Sequence, residues 1–235
     1  MTEWWTYRLS DFLMFSARTY RRLFELYNTE VWPLPLVAFI VGVAALAIVW
    51  HRPRVPDIAV PVGPVMLAAA WLWIAWAFQL QRYATILTAA PWFAAAFAFE
   101  ALILLAAAWI GAQTGALSLS DGRRVCGLGL FAFAVLAYPW IGVLLGRPLS
   151  QAEVFGIAPD PTAIGTLGVL LLMPSGESGG RRLAGAIAWL IPLAWCAVSG
   201  ATLCTMDAPE ALLLPALAVI ALVVAIRTRA TRPAA

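Results

Sequence analysis

The chain has 235 residues, of which 63% are hydrophobic and 11% are charged, with a formal net charge of +3. All 15 basic residues are arginine, which excludes a retinal Schiff base, a pyridoxal-phosphate enzyme and a Walker-type phosphate loop, because each needs a lysine amine. A lone histidine, His51, and three cysteines without a C-x-x-C motif predict no haem, no metal site and no other cofactor. No basic patch with interleaved aromatic residues indicates nucleic-acid binding.

Seven apolar segments account for this composition, and runs of about 20 apolar residues are what a hydrocarbon core about 30 Å thick requires of a helix. They predict an all-α, polytopic transmembrane helical bundle in contact with the lipid bilayer. The connections are too short for a soluble domain, so we predict one integral domain over 33–226, interfacial helices over 1–32 and a basic tail over 227–235. The predicted segments are 33–50, 62–81, 91–112, 126–145, 154–173, 183–204 and 210–226.

The residues before the first segment carry a helical pattern, with apolar side chains at three-and-four spacing on one face. This pattern predicts two amphipathic helices, over about 3–15 and 17–28, that lie flat in the membrane interface. Ser16 is the expected N-cap of the second helix, with Phe15 and Tyr20 as its hydrophobic staple. The helices either cover the bundle as an anchor or dock another subunit of a membrane complex. The residues that would form the docking face are Trp4, Trp5, Phe12, Tyr20 and Phe24.

Residues 3–12, Glu-Trp-Trp-Thr-Tyr-Arg-Leu-Ser-Asp-Phe, together with residues 21–28, resemble the opening of a bacterial family of multi-pass membrane proteins of unknown function. Residues 155–162 and 166–168 are similar to a second motif of that family. The resemblance implies a bacterial inner-membrane protein and implies no particular activity. The family often has Cys where this chain has Asp160, so no role that needs a thiol is implied at that position.

Glu100 lies near the middle of the third segment, where a carboxylate costs on the order of 2.5 to 3.5 kcal/mol. Matching depths in the bilayer predicts Tyr138, Thr166 and Ser199 as its hydrogen-bond partners. In one interpretation, a protonated Glu100 only holds helices together. In the other, Glu100 is a proton or cation site that lines a polar path.

The fifth segment is interrupted by Pro159-Asp160-Pro161-Thr162, which predicts a helix with Asp160 as N-cap and Pro161 at the first helical position. A helix that ends near Met173 is too short to cross, and half-helices of this kind form solute and ion sites in transporters. We therefore predict a second site at Asp160, Pro161 and Thr162, where the carboxylate favours a cation or a hydroxyl-bearing solute. A proline-kinked structural helix is the alternative.

The arginines predict the orientation of the chain. If the fifth segment crosses, nine arginines lie on the side of the C-terminus and six on the side of the N-terminus. The positive-inside rule then predicts a cytoplasmic C-terminus and an N-terminus outside. If the segment re-enters instead, both termini are cytoplasmic. The 20-residue length of 154–173 favours a crossing.

These features predict small-solute or proton-coupled permeation through a polar interior around Glu100 and Asp160. The alternative is a non-catalytic integral subunit, or assembly partner, of a larger membrane complex. An enzyme is not expected, because no nucleophile and base form a recognisable pair. A polar cavity that reaches Glu100 would favour permeation, whereas a filled bundle with a large exposed apolar flank would favour a subunit.

Overall fold

A computed structural model describes residues 15–51, 59–111, 121–173 and 179–230. Within these ranges the chain folds as helices joined by turns, which confirms the predicted all-α class. Wider π-helical turns extend α3 over Ile74–Leu80 and separate α5 from α6 over Phe133–Ala137. The helices are α1 (Ala17–Glu30), α2 (Leu34–Trp50), α3 (Ala59–Trp73), α4 (Ala90–Gly111), α5 (Asp121–Ala132), α6 (Tyr138–Leu144), α7 (Pro159–Leu172), α8 (Gly179–Ile187), α9 (Leu190–Thr205) and α10 (Leu213–Ala230).

Four helical stretches of the described residues are long and apolar enough to cross a membrane, namely Gly63–Thr85, Ala90–Trp109, Gly122–Leu144 and Leu183–Thr205. α1 and α2 meet at 88° and would add a fifth stretch if the pair forms one broken span. α7 and α10 are apolar but shorter. Each of the seven predicted segments contains a helix, while a total of seven crossings stays a prediction.

α7 lies at the centre of the bundle, and all 14 of its residues are buried. It packs against α3, α5, α9 and α10. Glycine allows the closest of these contacts, because a Cβ on Gly168 would lie 2.8 Å from the carbonyl oxygen of Gly127 in α5. A central helix enclosed by protein on every side can be shorter than a lipid-facing one, because its ends need not reach the bilayer surface.

α7 runs antiparallel to the α5–α6 span. At its C-terminal end the Arg123 guanidinium lies 3.4 Å from the carbonyl oxygens of Leu170 and Met173. At its other end Asp160 accepts a hydrogen bond from Tyr138. Arg123 and Tyr138 lie towards opposite ends of Gly122–Leu144, so α7, about 21 Å long, follows most of that span. This geometry supports the prediction that the fifth segment crosses.

Residues 152–158 lead into α7 without forming a helix, and α1 satisfies part of their backbone. The Tyr27 hydroxyl donates to the carbonyl oxygen of Ile157 at 3.1 Å, and the Asn28 amide donates to that of Ala152 at 2.8 Å. Irregular backbone at membrane depth is tolerated where protein encloses it and supplies such partners.

The beginning of α1 confirms two predictions made from local pattern. The Ser16 hydroxyl accepts a hydrogen bond of 3.2 Å from the backbone N–H of Thr19, as an N-cap does. The rings of Phe15 and Tyr20 stack with centroids 6.0 Å apart, as a hydrophobic staple requires.

The aromatic face of α1 packs on the bundle itself, which corrects the predicted docking role of Tyr20 and Phe24. Their side chains are only 6% and 2% exposed, because rings such as Phe78 and Tyr83 of the same chain cover them. These two residues are therefore not available to a partner protein. The other predicted docking residues, Trp4, Trp5 and Phe12, and nearly all of the helix predicted over 3–15, lie outside the described residues.

Candidate functional site

Asp160 lies in the first turn of α7, two positions after the N-cap residue Ala158. α7 begins after Ala158, with Pro159 at its first position, which corrects the predicted start at Asp160 and Pro161. Either proline suits a first turn, since the N–H groups there need no helical partner. The Asp160 carboxylate consequently does not cap its own helix, and it bonds to side chains of neighbouring helices.

Three donors hold the fully buried Asp160 carboxylate. Its Oδ2 accepts from the Ser199 hydroxyl at 2.7 Å and from the Tyr138 hydroxyl at 3.2 Å, and its Oδ1 accepts from the Trp195 indole at 2.8 Å. Charge-assisted bonds of this kind, together with the positive end of the α7 dipole, favour the carboxylate, whereas removal from water favours the neutral acid. The hydrogen bonds and the helix dipole thus favour the charged form of the buried Asp160 carboxyl, and burial favours its neutral form.

The predicted site residues Thr162 and Thr166 hold the backbone around Asp160. The Thr162 hydroxyl accepts from the backbone N–H of Gly156 at 2.9 Å and donates to the carbonyl oxygen of Ala158 at 2.7 Å. The Thr166 hydroxyl donates to the carbonyl oxygen of Thr162 at 2.7 Å and accepts from the Trp71 indole at 3.0 Å. Both hydroxyls already have partners, so we assign them a structural role.

Glu100 does not have the partners that depth matching predicts, and this is a second correction. Tyr138 and Ser199 bond to Asp160, and Thr166 bonds to Trp71 and its own helix. Glu100 is fully buried, and neither of its carboxylate oxygens has a hydrogen-bond partner. Matching depths does not specify which way a helix faces, and the packed helices direct these three side chains to other residues.

Aromatic rings from α3, α4 and α9 pack together one turn before Glu100. Phe97, one turn before Glu100, packs edge-on against Trp71 and Trp195, with ring centroids 4.5 and 5.0 Å away. The cavity described below does not include Glu100 among its lining residues. This cavity therefore does not supply the polar path to Glu100 that permeation past that residue would require.

Arg147, Glu153 and Glu210 form a charged cluster near Asp160 that the sequence analysis missed. The Arg147 guanidinium pairs with Glu210 at 2.6 Å, and their side chains are 16% and 8% exposed. Burial and then the Asp160 carboxylate raise the pKa of Glu153 well above its usual range, although the Arg147 guanidinium lowers it in part. A signal existed in the sequence, since Arg147 and Glu153 lie in one predicted connection and Glu210 begins the segment that starts on the same side of the membrane.

The cluster borders a cavity of about 20 Å³. Its polar lining includes Tyr138, Arg147, Glu153 and Glu210. Tyr138 lines this cavity, and its hydroxyl donates to Asp160, so this side chain connects the cavity with the buried carboxylate. Trp195, which the sequence analysis also missed, was detectable as a tryptophan deep in an apolar segment whose indole N–H requires an acceptor.

No curated protein and no solved structure matches the chain. A family model described as a family of unknown function matches residues 17–235, nearly the whole sequence. The match confirms the resemblance to a family of unknown function and includes every helix given above and the residues around Asp160. The chain belongs to this family, DUF6064.

Proposed function

We propose that this chain is an integral membrane protein that couples the binding and release of a proton at Asp160 to the permeation of a small solute. The proposed function is the one expected from the sequence, but the residue that binds the proton is Asp160 and not Glu100. It assigns no chemical reaction to the chain. It also keeps the predicted location in the inner membrane, with the N-terminus outside and the C-terminus cytoplasmic.

The observation that carries the proposal is the set of three donors on a fully buried carboxylate at the beginning of a central, short helix. Ionisable residues inside a membrane domain are expensive to bury, and they commonly mark ion pathways and proton relays. Asp160 also lies where helix α7 gives way to irregular backbone, the construction used for coupling sites in many transporters.

Asp160→Asn is a suitable test because the surroundings can accept an amide. The amide oxygen can take the place of Oδ1 and accept from Trp195, while the amide N–H group donates to the hydroxyl oxygens of Ser199 and Tyr138. The variant should therefore fold and yet be unable to titrate at this position. Asp207→Asn, at an exposed turn, is the matched control.

The measurement uses purified protein and proteoliposomes. In pH-dependent infrared difference spectra, the wild type should show a titrating carboxyl band that Asp160→Asn lacks and Asp207→Asn retains. Vesicles that contain the wild type and an entrapped pH indicator should dissipate an imposed pH gradient faster than vesicles with Asp160→Asn. Identical spectra for the wild type and Asp160→Asn would contradict the proposal.

A second candidate function is the non-catalytic integral subunit. It is favoured by α2, in which Gly42 is the buried residue and the apolar side chains Leu36, Ile40 and Val41 are about half exposed. Lipid covers such a face as well as a protein does. A titrating Asp160 band together with unchanged vesicle gradients would favour this candidate over permeation, and purification in mild detergent would then be expected to recover a partner membrane protein.

A further inference from the structure

The cavity beside Asp160 has room for about one water molecule and contains polar groups that lack partners. Its volume is about 20 Å³, slightly more than a single water requires. Three buried atoms of the residues that line the cavity have no hydrogen-bond partner. They are Arg147 Nε, Glu153 Oε2 and Glu210 Oε2. The Glu210 side chain is 92% buried, since only 8% of it is exposed, and only its Oε1 pairs with Arg147.

A single water matches the number and kind of these groups. Its oxygen can accept from Arg147 Nε and from the hydroxyl of protonated Glu153, and its two hydrogens can be donated to Glu210 Oε2 and to the hydroxyl oxygen of Tyr138, which also lines the cavity. Buried water with about three hydrogen bonds is the usual way in which such atoms are satisfied. A metal cation suits the cavity less well, because the Arg147 guanidinium lines it and a hydrated ion exceeds its volume.

We propose that this cavity holds one water molecule and is the proton entrance to Asp160. The inference rests on the proposed function, because it supplies the path to the same carboxyl. In the transfer, the O–H bond of protonated Glu153 breaks and a new O–H bond forms at Asp160 Oδ2. The water and the Tyr138 hydroxyl each accept one proton and release one, so both are unchanged at the end.

The charged groups around the entrance are consistent with the transfer of a proton from Glu153 to Asp160. Glu153 is flanked by Asp160, Arg147 and Glu210, and Tyr138 stands between the cavity and Asp160. The Arg147 guanidinium and the Glu210 carboxylate form an ion pair, and Glu153 is the cavity carboxyl to which we assign the proton exchange. The entrance lies at the end of the bundle where α6 ends and α10 begins, which is the predicted outer side.

Gly142 in α6 provides a variant that narrows the cavity without removing any of its polar groups. A Cβ at this position would lie 3.3 Å from Arg147 Nε, in the space where the water would bind. Gly129 provides the matched control, because a Cβ there has nothing within 4 Å. Both positions are helical, so alanine is compatible with the backbone at each.

The test follows the Asp160 infrared band after a rapid pH jump. Gly142→Ala should slow the protonation of Asp160 by about tenfold, the effect of losing one hydrogen-bonded step, and should leave the final amplitude unchanged. Gly129→Ala should behave as the wild type. A Gly142→Ala protein with wild-type rate would overturn the entrance and leave the role of Asp160 intact.

Glu153→Gln is the second variant and does not depend on the folding of Gly142→Ala. It removes the proton donor and keeps the shape of the side chain, so the Asp160 band should persist while its protonation slows. Unchanged kinetics in Glu153→Gln would also overturn the entrance. Failure of the proposed function gives a different result, namely that no band in the wild type is lost in Asp160→Asn.

Discussion

Arg147 and Glu210 form an ion pair of 2.6 Å, although the chain passes through α7 and α9 between them. If both of these elements cross the membrane, Arg147 and Glu210 lie on the same side and can pair. If the fifth segment re-enters, only α9 crosses, and the two residues would lie on opposite sides. The ion pair between Glu30 and Arg82 is consistent with the same alternation, because two predicted crossings separate those residues as well. The ion pair is therefore the arrangement that a crossing fifth segment requires, and the number of crossings stays a prediction.

The first prediction is that the connection containing Ser150 lies outside and the C-terminal tail lies in the cytoplasm. Cys126, Cys196 and Cys204 are replaced first, and single cysteines are then introduced at Ser150 or Ala234. In intact cells a membrane-impermeant thiol reagent should label the exposed position 150 and should label position 234 only after lysis. Labelling of both positions from the same side would contradict the alternation.

The second prediction concerns the hydrogen bond between Ser199 and Asp160. Ser199→Ala removes the closest of the donors to the carboxylate, so the free energy of unfolding in detergent should fall by about 1 to 3 kcal/mol. Thr202→Ala, on the same helix, removes a hydroxyl that bonds only to its own helix at Val198, and should cost about 0.5 kcal/mol or less. Equal losses in the two variants would mean that the bond to Asp160 adds no stability.

The third prediction tests the close contact between α5 and α7. A Cβ on Gly168 would lie 2.8 Å from the carbonyl oxygen of Gly127 and 2.9 Å from the backbone nitrogen of Phe131, and these backbone atoms cannot move away as a side chain can. Gly168→Ala should lower the free energy of unfolding by about 1 to 3 kcal/mol. Gly129→Ala has no such neighbours and should change it by no more than about 0.5 kcal/mol. A stable Gly168→Ala protein would show that the two helices separate easily.

The local features of this fold follow from the sequence because the interacting residues are close in the chain. The hydroxyl of Ser16 and the ring pair of Phe15 and Tyr20 depend on positions within five residues, so spacing alone predicts them. The apolar segments likewise predict where the helices form, since length and composition decide which residues can lie in a bilayer. The same argument does not extend to the contacts between helices.

The partners of Glu100 and Asp160 could not be predicted because they depend on the rotation of each helix about its axis. Tyr138 and Ser199 lie at a depth compatible with either carboxyl, and only the packed bundle joins them to Asp160. The aromatic face of α1 posed the same difficulty, since one amphipathic pattern suits lipid, a partner protein or the chain's own bundle. In the structure Phe24 packs against Phe78 of the bundle, and the amphipathic pattern of α1 does not predict this contact.

The fourth prediction is a dependence of stability on pH that involves Glu153. Because burial raises the pKa of Glu153 in the folded state, that state binds more protons than the unfolded one above about pH 4.3, the ordinary value for Glu. The free energy of unfolding should therefore fall as the pH rises from that value through the raised pKa. Glu153→Gln should make this fall shallower, and the exposed Asp207→Asn should not. Parallel pH profiles for the wild type and Glu153→Gln would be the contrary result.

The last prediction separates Glu100 from the proposed proton site. Because both carboxylate oxygens of Glu100 are buried without a hydrogen-bond partner, the side chain weakens the folded state. Glu100→Met keeps an unbranched side chain of similar length and removes the unsatisfied group, so the free energy of unfolding should rise by about 1 to 3 kcal/mol. Glu100→Gln retains a buried polar group and should gain less. Vesicles with either variant should dissipate a pH gradient at the wild-type rate, because we propose that the proton binds at Asp160. If vesicles with stable Glu100 variants fail to dissipate the gradient, the proton site lies at Glu100 in the third predicted segment. The destabilising burial of the Glu100 carboxyl would then be explained by its function.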